Sequence, residues 1–266
     1  MAKVKRKKKR ENLPAKVQDT QLPAFMQAEE ETGVEELAQF IIPPRVKIVQ
    51  AQSGGQLKEL FEVGDVVLVP QMLLVAPFGE PFHFTPIFFF PEWLLTNPVG
   101  VTPFVRERST DPQSEIAAKA RNKVSIPCPE KPGKECRYVQ HLNYISIIHN
   151  VDVSTPVVLS FARAEHSTGQ NLASRIRMRK APIYGCTFEA QVMERENAEG
   201  NWCGFDILNP SEESRVSPFI QDEEMFNELK AFHLEFKDAH EKSMIQLDFE
   251  NDDKVEGFED EEDTEY

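Results

Sequence analysis

The chain has 266 residues, of which 40% are apolar and 28% charged, and 30 Lys+Arg stand against 44 Asp+Glu for a formal net charge of −14. That length can bury a substantial core in one or two domains, and the composition excludes a collagen, a disulfide-dense toxin and a wholly disordered chain. The most apolar stretches, Val66–Phe78 and Phe82–Leu95, are interrupted by Pro70, Pro77, Pro86 and Pro91, so neither reads as a membrane span. The basic N-terminus runs into polar residues rather than an apolar run, unlike a signal peptide. Four cysteines fit reduced thiols in a cytoplasmic protein.

The charge is laid out in blocks. Residues 1–10 carry seven Lys/Arg and no acid, residues 41–210 carry 17 acids and 17 bases, and residues 248–266 carry eleven acids and Lys254 alone. A neutral body therefore lies between a basic arm and an acidic tail closed by Tyr266. Both ends lack the apolar content that offsets ordering entropy, so both read as disordered, and such blocks suit interaction tails. A solubilising tail is the alternative. Four segments result: a basic arm and polar lead-in at 1–40, a β domain at 41–210 with a long insertion at 108–137, a helix within 211–247, and the tail at 248–266.

No internal repeat is present. The lead-in holds one weak helix, Gly33–Phe40. Arg45–Gln50 alternates and reads as a strand, and Ser53-Gly54-Gly55 as a turn. Glu62–Val69 and Phe82–Phe90 are β-branched and aromatic, hence strands, with Pro86 marking an edge or bulge. Val101–Arg106 is a further strand candidate. Arg108–Arg137 is rich in proline and charge and reads as an excursion, with a helical patch at Ser114–Arg121 and a loop at Pro127–Cys136. Tyr138–His149 and Thr155–Arg163 are strands around a turn at Asn150–Ser154. Ser167–Lys180 is a short helix, with Leu172 and Ile176 on one face. Ile183–Glu194 and Trp202–Leu208 are strands joined by a hairpin turn at Asn197–Asn201. Ser217–Glu241 is a helix whose Met225, Leu229, Phe232 and Phe236 form one stripe, suited to docking on the sheet or to a homodimer interface.

From residue 82 onward the order is five strands with one helix between the third and fourth. That is the order of a small Greek-key barrel of the oligonucleotide-binding (OB) type. The expected fold is therefore mainly β: an OB-like barrel with an extra hairpin from residues 45–69, a C-terminal helix and disordered termini.

Several segments resemble the single-stranded DNA-binding proteins of tailed phages. They are Ile42–Gln50, Pro156–Phe161 followed by a short basic helix, Pro182–Gln191, the Asn197–Trp202 hairpin with its aromatic, and the acidic tail ending in an aromatic. The long 108–137 insertion and the basic first ten residues depart from that pattern. The resemblance implies a phage protein, located in the host cytoplasm, that protects single-stranded DNA in replication, recombination and repair. It also implies that the acidic tail competes for the DNA groove and recruits replication proteins such as polymerase and helicase/primase.

Single-strand binding needs cations for phosphates and ring faces for bases. The cation candidates are Arg163, Arg175, Arg177, Arg179 and Lys180 around the short helix, with Arg45 and Lys47 on one strand face, and Lys123 and Arg137. A solvated helix surface is the alternative for the helix cluster. The stacking candidates are Trp202, Tyr138 and Tyr144. Leu142 and Ile148 fall on the same strand face as the two tyrosines, so a core position is the alternative for both. Phe161 and Phe188 read as core.

Cys128 and Cys136 are too widely spaced for the usual zinc pairs, and Cys186 and Cys203 fall on apolar strand faces. No metal or other cofactor is expected. No P-loop, G-x-S-x-G, H-E-x-x-H or dinucleotide fingerprint occurs, so an enzyme is not expected. The competing function is a non-enzymatic scaffold whose charged termini bind partners.

Overall fold

The computed structural model describes residues 42–245 and 247, apart from 99, 150–154 and 198–199. They lie in one compact unit, Gln39–Tyr266. The basic arm, the Gly33–Phe40 helix, the Asn150–Ser154 turn, part of the Asn197–Asn201 turn and the acidic tail lie outside the described residues.

Ten strands form one mixed sheet. In chain order they are β1 (Arg45–Ile48), β2 (Val66–Val69), β3 (Leu73–Ala76), β4 (Phe82–Thr96), β5 (Val105–Ser109), β6 (Ser125–Pro127), β7 (Glu135–Ile148), β8 (Val157–Ala162), β9 (Phe188–Asn197) and β10 (Gly200–Leu208). The helices are α1 (Gly55–Leu60), α2 (Glu115–Arg121), α3 (His166–Arg179) and α4 (Glu223–Glu241). The spatial order is β10-β9-β4-β7-β8-β1-β2-β3, with β5 added beside β4 and β6 beside β7. Within it, β10-β9-β4-β7-β8 carries the five-strand order of an OB-type barrel, and α3 separates the third strand from the fourth.

The extra β1–β2 hairpin is inserted at the seam of this barrel. β1 runs parallel to β8 through Arg45 and Val158, and antiparallel to β2 from Arg45↔Val69 to Ile48↔Val66. Just past β1, the Gln50 side chain reaches β10. Its Nε2 donates to the Cys203 carbonyl at 2.7 Å and its Oε1 accepts from the Cys203 amide at 3.0 Å. One side-chain amide thus copies a backbone ladder rung and links β10 to the segment just past β1.

Period-2 alternation fills the interior. Val46 and Ile48 from β1, Leu142 and Tyr144 from β7, Phe161 from β8, Phe188, Ala190 and Val192 from β9, and Cys203, Phe205 and Ile207 from β10 share one buried cluster. α3 plugs this interior so closely that a Cβ on Gly169 would lie 2.8 Å from Phe161 Cβ. Here glycine's helix penalty of about 1 kcal/mol is accepted in exchange for close packing.

Several boundaries differ from the sequence expectation for local reasons. β2 starts only at Val66, because Asp65 binds the Glu62 and Phe78 amides at 2.9 and 3.0 Å and holds residues 62–65 in a turn. α1 and the short β3 were not expected. β4 continues to Thr96, with a register shift between Pro86 and Phe88. β9 begins at Phe188, since Ile183–Gly185 form a 3₁₀ turn. α4 starts at Glu223, where Asp222 accepts the Met225 amide at 2.8 Å, rather than at Ser217.

The 108–137 excursion is largely a paired arm. β4 and β7 extend together, β5 and β6 flank them, and α2 packs on one side. Its own core gathers Leu95, Cys128, Cys136 and Tyr138, with Ile116, Ala120 and Ile126 against them. The α4 stripe docks on the sheet. Leu229 is buried, Phe236 packs on the Phe88–Phe90–Ile145 cluster, and His233 Nδ1 donates to the Ile87 carbonyl at 2.8 Å, so Nδ1 carries the ring proton.

Replacing Gln50 by Ala removes both contacts to Cys203. Urea unfolding is expected to show a loss of about 1–2 kcal/mol, with faster exchange of the Cys203 amide. Unchanged exchange there would show that β10 is held against the β1 segment by something else.

Candidate nucleic-acid interface

Positions paired across neighbouring strands point to the same side of a sheet. Glu92 on β4 pairs with His141 on β7, His141 with Ala162 on β8, Asn143 with Ser160, and Leu94 with Arg108 on β5. Arg45 and Lys47 alternate with the buried Val46 and Ile48, so they face outward beside β8. The outer face of β5-β4-β7-β8-β1 therefore carries Arg108, Glu92, His141, Ser160, Arg45 and Lys47.

His141 lies at the centre of this face and is 8% exposed. Ser160 Oγ donates to Asn143 Oδ1 at 2.7 Å, so the 3.1 Å contact between Ser160 Oγ and His141 Nδ1 places the imidazole proton on Nδ1. Burial pushes the His141 pKa down to about 3, and the positive charges of Arg45 and Arg163, then His166 and Arg108, push the same way. A neutral imidazole thus sits within reach of three guanidinium groups.

One carboxylate shares the face. Glu92 is 3% exposed, and its Oε1 lies 3.6 Å from Arg108 Nη1. Burial raises its pKa, against the opposing pull of Arg108, Arg45 and the neighbouring Asn143 amide. Beyond His141 the face opens into a cleft of about 170 Å³, lined by Thr96, Asn97, Lys134, Glu135, Arg137 and Arg163. Arg163 Nη2 donates to Thr96 Oγ1 at 3.4 Å. Arg163 also holds a left-handed backbone, φ +51°, where β8 turns toward α3.

The other expected residues are placed differently. Tyr144 is 1% exposed, and its hydroxyl donates to the Gly169 carbonyl at 2.7 Å. Tyr138 is buried in the arm core, with Lys119 Nζ 3.3 Å from its hydroxyl. Neither ring offers a face to a base, which corrects the stacking expectation: both lie on the strand face that fills the core. Arg179 is committed within the fold. It donates to the Thr187 and Pro218 carbonyls at 2.8 Å and to Asn209 Oδ1 at 2.6 Å, and its guanidinium lies 3.9 Å over the Phe188 ring.

Arg177 and Lys180 are exposed at the end of α3. Lys123 is exposed just past α2, apart from the cation row in the chain's topology. Arg175 lies on α3 facing β9 and β10, in a separate cavity. Trp202 is half-buried on the outward side of the β9–β10 hairpin, its Nε1 donating to Glu165 Oε1 at 3.3 Å. The structure thus gathers Arg45, Lys47, Arg137 and Arg163, and it adds Arg108, Glu92 and His141. The alternation Arg106-Glu107-Arg108 was the one sequence signal for a strand that turns Arg108 to this face.

Cys186 and Cys203 are buried in the barrel, and Cys128 and Cys136 in the arm. Burial raises the Cys136 pKa. Among the described residues no group of three His, Cys, Asp or Glu side chains is placed to hold a metal ion. No helix among them is long and apolar enough to cross a membrane.

The structure is thus a mainly β protein with an OB-type strand order and a cation-lined outer face. The family model for the Pam3 phage gp34-like protein matches residues 15–242, and the chain belongs to that family of phage proteins. No curated protein and no solved structure matches it.

The His141 titration has a stability consequence. Its folded pKa of about 3 lies below the ordinary value of 6.5, so the unfolded chain binds more protons between those values. Stability therefore rises with pH in that window, by at most about 1.4 kcal/mol per pH unit from this group. The raised pKa of Glu92 acts in the opposite sense from its ordinary value of 4.5 upward. Urea midpoints measured from pH 7 to pH 4 should fall less steeply in His141→Gln than in the parent. Equal slopes would contradict a buried, neutral His141.

Proposed function

We propose that the protein binds single-stranded DNA in phage replication and recombination, with the outer face of β5-β4-β7-β8-β1 around His141, beyond the part that α4 and Leu247 cover, as the groove. The observation that carries this reading is the convergence of Arg45, Arg108 and Arg163 on the buried His141, on a body of zero net charge. Cations concentrated on one face of a neutral domain attract a polyanion locally, and each phosphate met releases condensed counterions. Thr96 and Asn97 at the adjoining cleft supply polar groups beside Arg137 and Arg163. With both tyrosines inside, phosphate contacts outweigh stacking, and affinity depends steeply on salt.

The acidic tail fits the same face. Arg108 Nη2 donates to the Leu247 carbonyl at 3.0 Å, and Leu247 is buried against Phe88, Phe90, Leu94, Ile145 and Val158. The eleven acids of residues 248–266 follow directly in sequence. In this reading the tail competes with DNA for the cations and, once displaced, becomes available to basic patches on polymerase or helicase/primase.

The second reading, a scaffold that uses its charged termini, is favoured by one observation: Tyr138 and Tyr144 are buried, so the stacking platform is smaller than expected. Fluorescence anisotropy with a thymidine 30-mer over a salt series separates the two. The single-strand reading predicts that Arg137→Ala with Arg163→Ala weakens binding and lowers the salt slope by about 2, and that ending the chain at residue 247 tightens binding. A scaffold would bind the strand weakly, equally with duplex, and only through residues 1–10.

A further inference from the structure

A second polar cavity lies between α3 and the β9–β10 hairpin. Ser167, Thr168 and Asn171 from the first turns of α3, with Arg175 two turns on, face Arg195 of β9 and Asp206 of β10 across about 210 Å³. Arg195 is held in place: its Nη2 donates to the Phe205 carbonyl, and its Nε lies 3.9 Å from Glu165 Oε1. The side chains of the other five make no hydrogen bond or ion pair among the described residues. Thr168, only 6% exposed, lines this cavity, and its hydroxyl makes no hydrogen bond among the described residues. Five polar side chains without a side-chain partner among the described residues thus line one cavity.

The helix end adds to the same demand. Glu165 occupies the N-cap position of α3 but makes no capping bond. Its carboxylate instead accepts from the Phe205 amide at 3.0 Å and from Trp202 Nε1. A 3₁₀ turn, Arg163–Glu165, leads into α3, with the His166 amide bonded to the Arg163 carbonyl, and the helix dipole adds a modest preference for an anion near this end. Two guanidinium groups and two hydroxyls match the acceptor oxygens of a phosphate. Asp206 sets a further requirement: a bare phosphate would be repelled by it, so the ligand must also present a donor. Trp202 stands opposite Arg195 across the hairpin, on the same face, with its ring half exposed.

We propose that this cavity binds one nucleotide unit: its phosphate lies between Arg175 and Arg195 over the first turn of α3, a hydroxyl or exocyclic amine donates to Asp206, and Trp202 offers a face to the base. The source of the nucleotide as part of a single strand rests on the function proposed above. A free mononucleotide presents the same chemistry, and the test separates the two.

Thymidine monophosphate, a thymidine 20-mer and inorganic phosphate are titrated calorimetrically into the full chain and into Arg175→Ala and Asp206→Asn. Arg175 is half-buried and its side chain has no partner among the described residues, so its removal is expected to leave the fold intact, which circular dichroism and the urea midpoint verify. The expected result is saturable monophosphate binding, weakened about tenfold by R175A and also weakened by D206N, with the 20-mer weakened by R175A as well. Tighter monophosphate binding in D206N would show that only an anion is held and would overturn the nucleotide assignment. No saturable monophosphate binding, together with R175A equal to the parent on the 20-mer, would overturn the site while leaving the single-strand reading in place. Monophosphate binding without 20-mer binding would keep the site for a free nucleotide and remove the single-strand reading.

Discussion

Tyr144 donates its hydroxyl proton to the Gly169 carbonyl at 2.7 Å, and this bond ties the long central strand β7 to the helix that plugs the barrel. Much else depends on it. It fixes which side of β7 faces inward, and the period of two then fixes every other side chain on the strand. Leu142 joins Tyr144 in the interior, while Val139, His141, Asn143 and Ile145 turn outward. A slip of one residue would bury His141 in the barrel and expose Tyr144. Burial in low dielectric also pushes the Tyr144 pKa upward, so the hydroxyl stays a donor throughout the ordinary pH range.

The outward row then meets opposed electrostatic demands. Desolvation disfavours charge on His141 and Glu92 alike. The imidazole stays neutral because the cations around it add to that effect. The carboxylate is held between desolvation, which favours its protonation, and Arg108 and Arg45, which favour its charge. Guanidinium groups suit such a position, since they keep their charge and are more weakly hydrated than ammonium. The result is a positive face whose charge changes little near neutral pH, embedded in a body that is neutral as a whole. The acids that balance it are distributed elsewhere, and the largest acidic block follows Leu247, which Arg108 itself holds.

Most of the barrel was legible because its strands alternate cleanly. Val46 and Ile48, then Phe188, Ala190 and Val192, then Cys203, Phe205 and Ile207 mark their inner faces without ambiguity, and the helix between the third and fourth strands follows from Leu172 and Ile176. The fate of the tyrosines was also written in the sequence. Leu142 and Ile148 share their strand face, and an apolar residue of that parity on a half-buried strand marks the core side. The cation cluster was less legible. Arg45, Lys47, Arg137 and Arg163 come from three separate segments, and only the sheet register brings them to one face. Arg108 stayed hidden inside a segment whose prolines and charges read as loop, because β5 gains its order from pairing with β4 rather than from its own composition. Arg179 shows the reverse. Its place in a basic run suggested phosphate binding, but three carbonyl-type acceptors and the Phe188 ring surround it.

The central claim is that the strand lies on the outer face of β7 and β8, beside Arg45, Arg137 and Arg163. Photo-cross-linking a thymidine oligonucleotide that carries 5-iodouracil, followed by mass mapping of the linked peptides, tests it most directly. The account predicts links concentrated in peptides holding residues 45–47, 137–141 and 163. Links confined to residues 1–10, with none on these strands, would contradict it.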